Sequence, residues 1–172
     1  AFTVIPDYAF NYNSKLSEIN IPDNVVTIDE FAFRSCANAT LLIFLGTSNC
    51  TTIETLAFSN CKKLLYIDLP ESLVTIGNFA FNGCSSASRI VMKDKVTTIG
   101  ESVFNGCSGL TNMVIPDSVT MIGYGTFAHC TALTDVVISN SVETIDEKAF
   151  IKCEALTSIG IPNSVTKIAG WA

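Results

Sequence analysis

Thr97 to Val119 reads TTIGESVFNGCSGLTNMVIPDSV, and almost every other part of the 172-residue chain is another copy of this 23-residue unit. Taking the first Ile of each copy as a marker gives Ile5, Ile28, Ile53, Ile76, Ile99, Ile122, Ile145 and Ile168. Each step is 23 residues except Ile28 to Ile53, which is 25. A fixed period in this range signals a solenoid or an array, each unit leaning on the next.

Five residues after each marker stands a Phe: Phe10, Phe33, Phe58, Phe81, Phe104, Phe127 and Phe150. Eight residues after it stands Cys36, Cys61, Cys84, Cys107, Cys130 or Cys153, with Asn13 in the first copy. Apolar pairs two residues apart, such as Met113 with Ile115, point to one face of a short strand. That strand ends at Pro22, Pro70, Pro116 or Pro162, where the missing N–H is harmless, and the following Asp/Asn-Ser pair reads as a turn. A second short extended piece, such as Val119 to Ile122, carries the chain onward. The Ala-Phe-x-x-Cys segment is too short for a stable helix and is expected to form a helical or 3-10 turn. One unit cannot bury these residues alone; stacked units place Ile on Ile and Phe on Phe.

The unit resembles the leucine-rich repeats of the BspA-like (Treponema pallidum) type. Leu110-Thr-Asn-Met113-Val-Ile115-Pro-Asp-Ser118-Val119 carries the likeness, continued by Met121-Ile122-Gly123 and Phe127-Ala-His-Cys130. It recurs seven times and covers almost the whole chain. The resemblance implies a right-handed solenoid of about seven units in a single domain spanning residues 1–172, with a parallel β-sheet on the concave face. It also implies an extracellular or cell-surface, non-enzymatic module of the adhesin kind, whose partner is a protein such as a host extracellular-matrix or cell-surface protein.

Composition bounds the reading independently. The chain is 48% apolar and 15% charged, which argues against disorder. Seven rungs at a strand spacing of ~4.8 Å form a body about 35 Å long. The net charge is −6 and no basic stripe is visible, which excludes nucleic-acid binding of the ordinary kind. Leu41 to Leu45, the longest strongly apolar run, is too short to span a membrane. The residues from Ala1 onward do not read as a signal peptide, and the chain is expected to be a fragment of a longer protein. The chain starts and stops inside a repeat without a polar cap, so its ends are expected to associate end to end or to order poorly.

Seven cysteines in a chain of extracellular type would suggest disulfides. Six of them, however, share one repeat position, which predicts an internal ladder of buried thiols. Pairing between neighbouring rungs, about 5 Å apart, is the second reading. No His or carboxylate cluster accompanies the ladder, so no metal site and no cofactor are expected. Cys50 lies outside the ladder and is expected to be more exposed.

Two copies depart from the pattern. The second has Ala39 where Leu is usual, the run Leu41-Leu-Ile-Phe-Leu45, and Gly46-Thr-Ser-Asn49 with two extra residues in place of Pro-x-Ser. It contains two Asn-x-Thr triplets, at Asn38 and Asn49, which are glycan acceptors in a eukaryotic secreted protein and chance matches otherwise. The fourth places Arg89, Lys93 and Lys95 close together. At the C-terminus Trp171 stands short of the expected Ala-Phe, and either closes the end or frays.

Function has most room on the outward side of the leading strands. One outward column should run Glu18, Leu41, Tyr66, Arg89, Asn112, Asp135, Ser158, and the next Asn20, Ile43, Asp68, Val91, Val114, Val137, Gly160. Leu41, Ile43, Tyr66, Arg89, Val91, Val114 and Val137 are therefore the candidate protein-binding residues, since neighbouring exposed apolar groups mark interaction sites and Tyr and Arg anchor interfaces. The competing reading is that the Val and Ile serve β-propensity alone. In that case the chain is a structural spacer that displays another domain and associates through its repeat ends. Self-association through the uncapped ends or the strand face is a further expectation under either reading. Catalysis is not expected. The lone His129 has only the ladder residue Cys130 as a neighbouring nucleophile. The carboxylates Asp29, Glu30, Glu101, Asp146 and Glu147 fall in a solvated turn, and Gly100, Gly106 and Gly109 are repeat turns rather than a phosphate loop.

Overall fold

The computed structural model describes residues 2–172. The chain winds through paired short strands: β1 (Val4–Ile5), β2 (Glu18–Ile21), β3 (Thr27–Ile28), β4 (Leu41–Phe44), β5 (Thr52–Ile53), β6 (Tyr66–Asp68) and β7 (Thr75–Ile76). It continues through β8 (Arg89–Val91), β9 (Thr98–Ile99), β10 (Asn112–Val114), β11 (Met121–Ile122), β12 (Asp135–Val137), β13 (Thr144–Ile145) and β14 (Lys167–Ile168). The even-numbered strands β2 to β12 make one six-stranded parallel sheet. The marker strands form a five-stranded ladder, β1-β3-β5-β7-β9, and a three-stranded one, β11-β13-β14. The expected stretch around Ser158 to Gly160 does not form a strand.

The marker Ile residues lie on one another in strict register within each ladder: Ile5 pairs with Ile28, Ile28 with Ile53, Ile53 with Ile76, and Ile76 with Ile99, and further on Ile122 with Ile145 and Ile145 with Ile168. The Phe ladder is equally regular. Phe10, Phe33, Phe58, Phe81, Phe104, Phe127 and Phe150 stack in turn, with centroids 5.0 to 6.0 Å apart. The four from Phe58 to Phe127 are fully buried. Burial of each removes a large apolar area from water, worth roughly 1.5–3 kcal/mol per side chain, and the stacks add offset aromatic contact.

The Ala-Phe-x-x-Cys segment is not helical, contrary to expectation. In the fourth rung, Ala80, Asn82 and Cys84 donate their N–H groups back to the carbonyls of Gly77, Phe79 and Phe81. The alternate residues Phe79, Phe81 and Gly83 donate instead to Glu101, Val103 and Asn105 of the next rung, at 2.8, 3.0 and 2.7 Å. The segment is thus a run of overlapping i→i+3 turns whose every second N–H joins a ladder between rungs. The alternation requires two left-handed residues per rung, here Phe79 (φ 56) and Gly83 (φ 71). The same two positions are left-handed at Tyr8 and Tyr12, Phe31 and Ser35, Leu56 and Asn60, and Lys148 and Lys152. Left-handed backbone costs an L-residue roughly 1–2 kcal/mol, so the paired N–H groups must offset it in every rung.

Side chains stitch the rungs as well. Ser72, Ser118 and Ser164, the serines of Pro-x-Ser, donate to the carbonyls of Cys50, Val96 and Val142 at 2.7, 2.6 and 2.7 Å. Thr40, Ser88, Thr111 and Thr134 do the same along the start of the leading strands. The ladder cysteines are free thiols. Cys61, Cys84, Cys107 and Cys130 donate Sγ–H to Phe33, Phe58, Phe81 and Phe104 of the preceding rung, at 3.1 to 3.4 Å. Each of those carbonyls also accepts the N–H of its own rung's cysteine.

Cys50 is fully buried, contrary to expectation. It stands three residues before Ile53, where Val25 and Leu73 stand before their own markers, and so fills a core position. Burial pushes its thiol up to about 11.

One seam interrupts the regularity. Thr97 and Thr98 both donate to Val74, and Glu143 and Thr144 both donate to Thr120, yet β9 and β11 belong to different ladders. Ile99 is partly exposed there, whereas Ile76 and Ile122 are buried. The six-stranded sheet runs on past this point, with β10 and β12 paired over three residues.

Candidate functional site

Outward side chains on the six-stranded sheet fall into the two expected columns. The register joins Glu18 to Leu41, Leu41 to Tyr66, Tyr66 to Arg89, Arg89 to Asn112 and Asn112 to Asp135. The second column joins Asn20 to Ile43, Asp68 to Val91 and Val114 to Val137. Strand alternation turns Ile19, Leu42, Ile67, Ile90, Met113 and Val136 into the core, and these intervening residues face out because the period is two.

All seven candidate residues lie on this face. Leu41 and Ile43 are each 39% exposed, Tyr66 42%, Val114 60% and Val137 51%. Arg89 is exposed, while Val91 is half-buried. The face is not one apolar surface. Lys93 reaches Asp68 at 2.9 Å and Glu71 at 3.5 Å, and this ion pair lies beside the column between Ile43 and Val91. The Asp68 hydrogen bond, more than the Glu71 charge, holds the Lys93 ammonium above its ordinary pKa. Leu41, Ile43 and Tyr66 thus sit on one side, and Val114 and Val137 on the other. Arg89 stands between them with its guanidinium 5.8 Å from the centre of the Tyr66 ring, a cation–π distance.

A groove of about 580 Å³ adjoins this face, and the sequence reading missed it. Gly46 to Asn49 form one wall, Asp68 to Ser72 the floor, and Lys93 with Lys95 the other wall. Its walls are the two places where Pro-x-Ser is replaced, so the departures from the repeat were the signal available.

The remaining sequence candidates resolve into structure. The Asn38 amide nitrogen donates to Ser14 at 2.8 Å and its oxygen accepts from Lys63 at 2.8 Å. The Asn49 amide nitrogen donates to Asp23 at 2.9 Å. The nitrogens a glycan would take therefore tie the second rung to the first. His129 is exposed on a left-handed turn residue. The Cys130 thiol beside it points inward, donates to Phe104, and is raised by burial, so the two do not form a nucleophile–base pair. Burial likewise pushes Cys84 up to about 12 and Cys153 up to about 11. Among the described residues no group of His, Cys, Asp and Glu is arranged to hold a metal ion, and no helix is long and apolar enough to cross a membrane. Trp171 is exposed and left-handed, in the same repeat position as Tyr8 and Phe31.

A parallel-strand solenoid with repeating Ile, Phe and Cys ladders and one solvent-facing sheet defines a leucine-rich-repeat scaffold. The chain belongs to the BspA type leucine-rich-repeat family, whose repeat region matches it in six copies over residues 3–134 and 51–172. Such repeats are general scaffolds for protein interaction. A search of curated proteins finds no match. Among solved structures, the Treponema pallidum leucine-rich-repeat protein is 26% identical with a TM-score of 0.84, over 91% of this chain and 72% of that one. A leucine-rich-repeat protein from Eubacterium ventriosum is 27% identical with a TM-score of 0.78, over 97% of this chain and 44% of its own. A leucine-rich cell surface protein from Faecalibacterium prausnitzii is 32% identical with a TM-score of 0.68, over 97% of this chain and 38% of its own. The chain thus spans under half the length of these last two.

Proposed function

We propose that this chain is a non-enzymatic binding module, displayed outside the cell, that docks a protein partner on the outer face of its six-stranded sheet. The observation that carries the reading is the exposure of Leu41, Ile43, Tyr66, Val114 and Val137 on strand positions that face water. A solvated sheet face normally alternates to polar residues, and clusters of exposed apolar side chains such as the two here mark interaction surfaces. Tyr66 and Arg89 are of the types that anchor interfaces. The cell-surface relative supports an extracellular setting, and host matrix or cell-surface proteins are the partners proposed.

The test is binding of the purified chain to a panel of extracellular-matrix proteins, beside a Val114→Lys, Val137→Lys variant with the wild-type circular dichroism spectrum. Binding that disappears in the variant supports the reading. Equal binding by both, or by neither, removes the face from the argument and favours a spacer, which would be indifferent to a charged sheet.

A further inference from the structure

We propose that the sheet face recognises an extended protein segment by a single carboxylate, seated on Arg89 and flanked by apolar side chains. This rests on the strand-face reading above and assigns the chemistry of the partner to it.

The inference begins with charge. The outer face carries Glu18 at one end of the first column and Asp135 at the other, with Asp68 in the second column. Against them stands Arg89. Among the described residues it takes part in no ion pair, although Lys93, four residues on, is engaged by both Asp68 and Glu71. Its paired neighbours in the column, Tyr66 and Asn112, are neutral. The Tyr66 ring orients the guanidinium without neutralising it, so its donors remain for an incoming acceptor. A guanidinium matches a carboxylate through two parallel N–H···O bonds.

The surroundings fix how many charges the partner can carry. The chain has a net charge of −6, so a polyanionic partner is repelled at long range, and Glu18 and Asp135 repel a second carboxylate at either end. Arg89 lies two rungs from Leu41 and two from Asp135, roughly 10 Å each way at a rung spacing of ~4.8 Å. On one side the partner meets Leu41, Ile43 and Tyr66, and on the other Val114 and Val137. A segment with one Asp or Glu between two apolar stretches satisfies all of these. A strongly acidic segment is repelled by Glu18 and Asp135, and a basic one leaves Arg89 facing a like charge.

The probe is a displayed library of random twelve-residue peptides selected on the purified chain. Selected peptides should be enriched in one Asp or Glu with apolar residues on both sides. The dissociation constant of the best peptide should rise about tenfold or more on Arg89→Glu, less on Arg89→Lys, and rise with added salt. Replacing the peptide carboxylate by Lys should restore binding to the Arg89→Glu variant, an outcome that misfolding cannot produce. Peptides without a carboxylate, no enrichment, or binding indifferent to Arg89→Glu would overturn the proposal. If binding is indifferent to Arg89→Glu but lost in Val114→Lys, Val137→Lys, the anchor fails and the face stands. If binding is indifferent to both, the face fails too.

Discussion

Cys84 illustrates how one residue type serves three needs at once. It is small enough for the turn segment, apolar enough for full burial, and still donates to the Phe58 carbonyl of the rung before. Ser would bury a stronger polar group, and Ala would leave the carbonyl one donor short. Burial raises the thiol to about 12, well above its ordinary value of 9.0. The folded state therefore holds the proton more tightly than the unfolded chain does. Stability from this group is complete below about pH 8.5, where unfolded thiols are still protonated, and is lost as pH rises towards 12. Urea midpoints measured under reducing conditions should fall progressively above pH 9, and less so in a Cys84→Ala background. Unchanged midpoints would contradict the buried-thiol account. Gly100 makes a second argument at this scale. A Cβ there would lie 2.6 Å from the Asn78 backbone nitrogen and 2.8 Å from the Gly77 carbonyl carbon, whereas at Gly123 the nearest atom is 3.7 Å away. Gly100→Ala should cost about 1–3 kcal/mol by overpacking, and Gly123→Ala close to nothing. Equal effects on the urea midpoint would show that the rungs move apart freely.

At the scale of elements, much was legible and the reasons are particular. The 23-residue period and the spacing of Met113 and Ile115 gave the two short strands of most rungs and their rung-on-rung register, because burial on one face leaves a period-two strand no other alignment. The parallel sheet followed from the family resemblance, and the last leading strand, around Ser158 to Gly160, does not form. The ladder of thiols followed from one Cys per unit. The turn segment was not legible. Tyr8, Phe31, Leu56 and Phe79 are left-handed, yet nothing in bulky residues announces positive φ. Gly83, Gly106 and Gly125 alone among the glycines of the segment hinted at it, and the N–H pairing that sustains it lies between rungs. Cys50 was misjudged because the 25-residue step hid its place three residues before Ile53. Of the candidate face, the residues and their columns were legible, but the Lys93 ion pair and the groove beside it depend on side-chain reach across rungs. The seam between β9 and β11 was likewise silent. The exposure of Ile99, the clearance at Gly123, and ring tilts of 17° and 16° at Phe81–Phe104 and Phe104–Phe127 all fall near it. Amide exchange should therefore be faster at Thr120 and Gly123 than at Glu143 and Asp146, which occupy the same places one rung later and donate to Thr120 and Ile122. Equal protection would mean the seam is closed in solution.

The whole molecule is quasi-one-dimensional, and its stability is a sum over rungs and their interfaces. Across the seam the marker ladder is divided, so the rungs on either side are joined by the turn ladder, the six-stranded sheet and the Phe104–Phe127 stack. Those links decide whether the chain melts as one body. Phe104 is fully buried and stacks on rungs in both directions. Phe104→Ala should cost about 3–5 kcal/mol, and part of that loss falls at the divided interface. Phe58→Ala removes an equivalent ring from a regular stretch, where both marker strands β5 and β7 are paired. The two variants should therefore differ in cooperativity more than in total stability. Phe104→Ala should show a shallower urea transition, or two transitions, with exchange protection lost first on one side of the seam. Phe58→Ala should keep a single steep one. If both unfold with the same slope, the six-stranded sheet and the turn ladder couple the halves without the Phe stack, and the sheet face proposed for binding is then mechanically continuous from Leu41 to Val137.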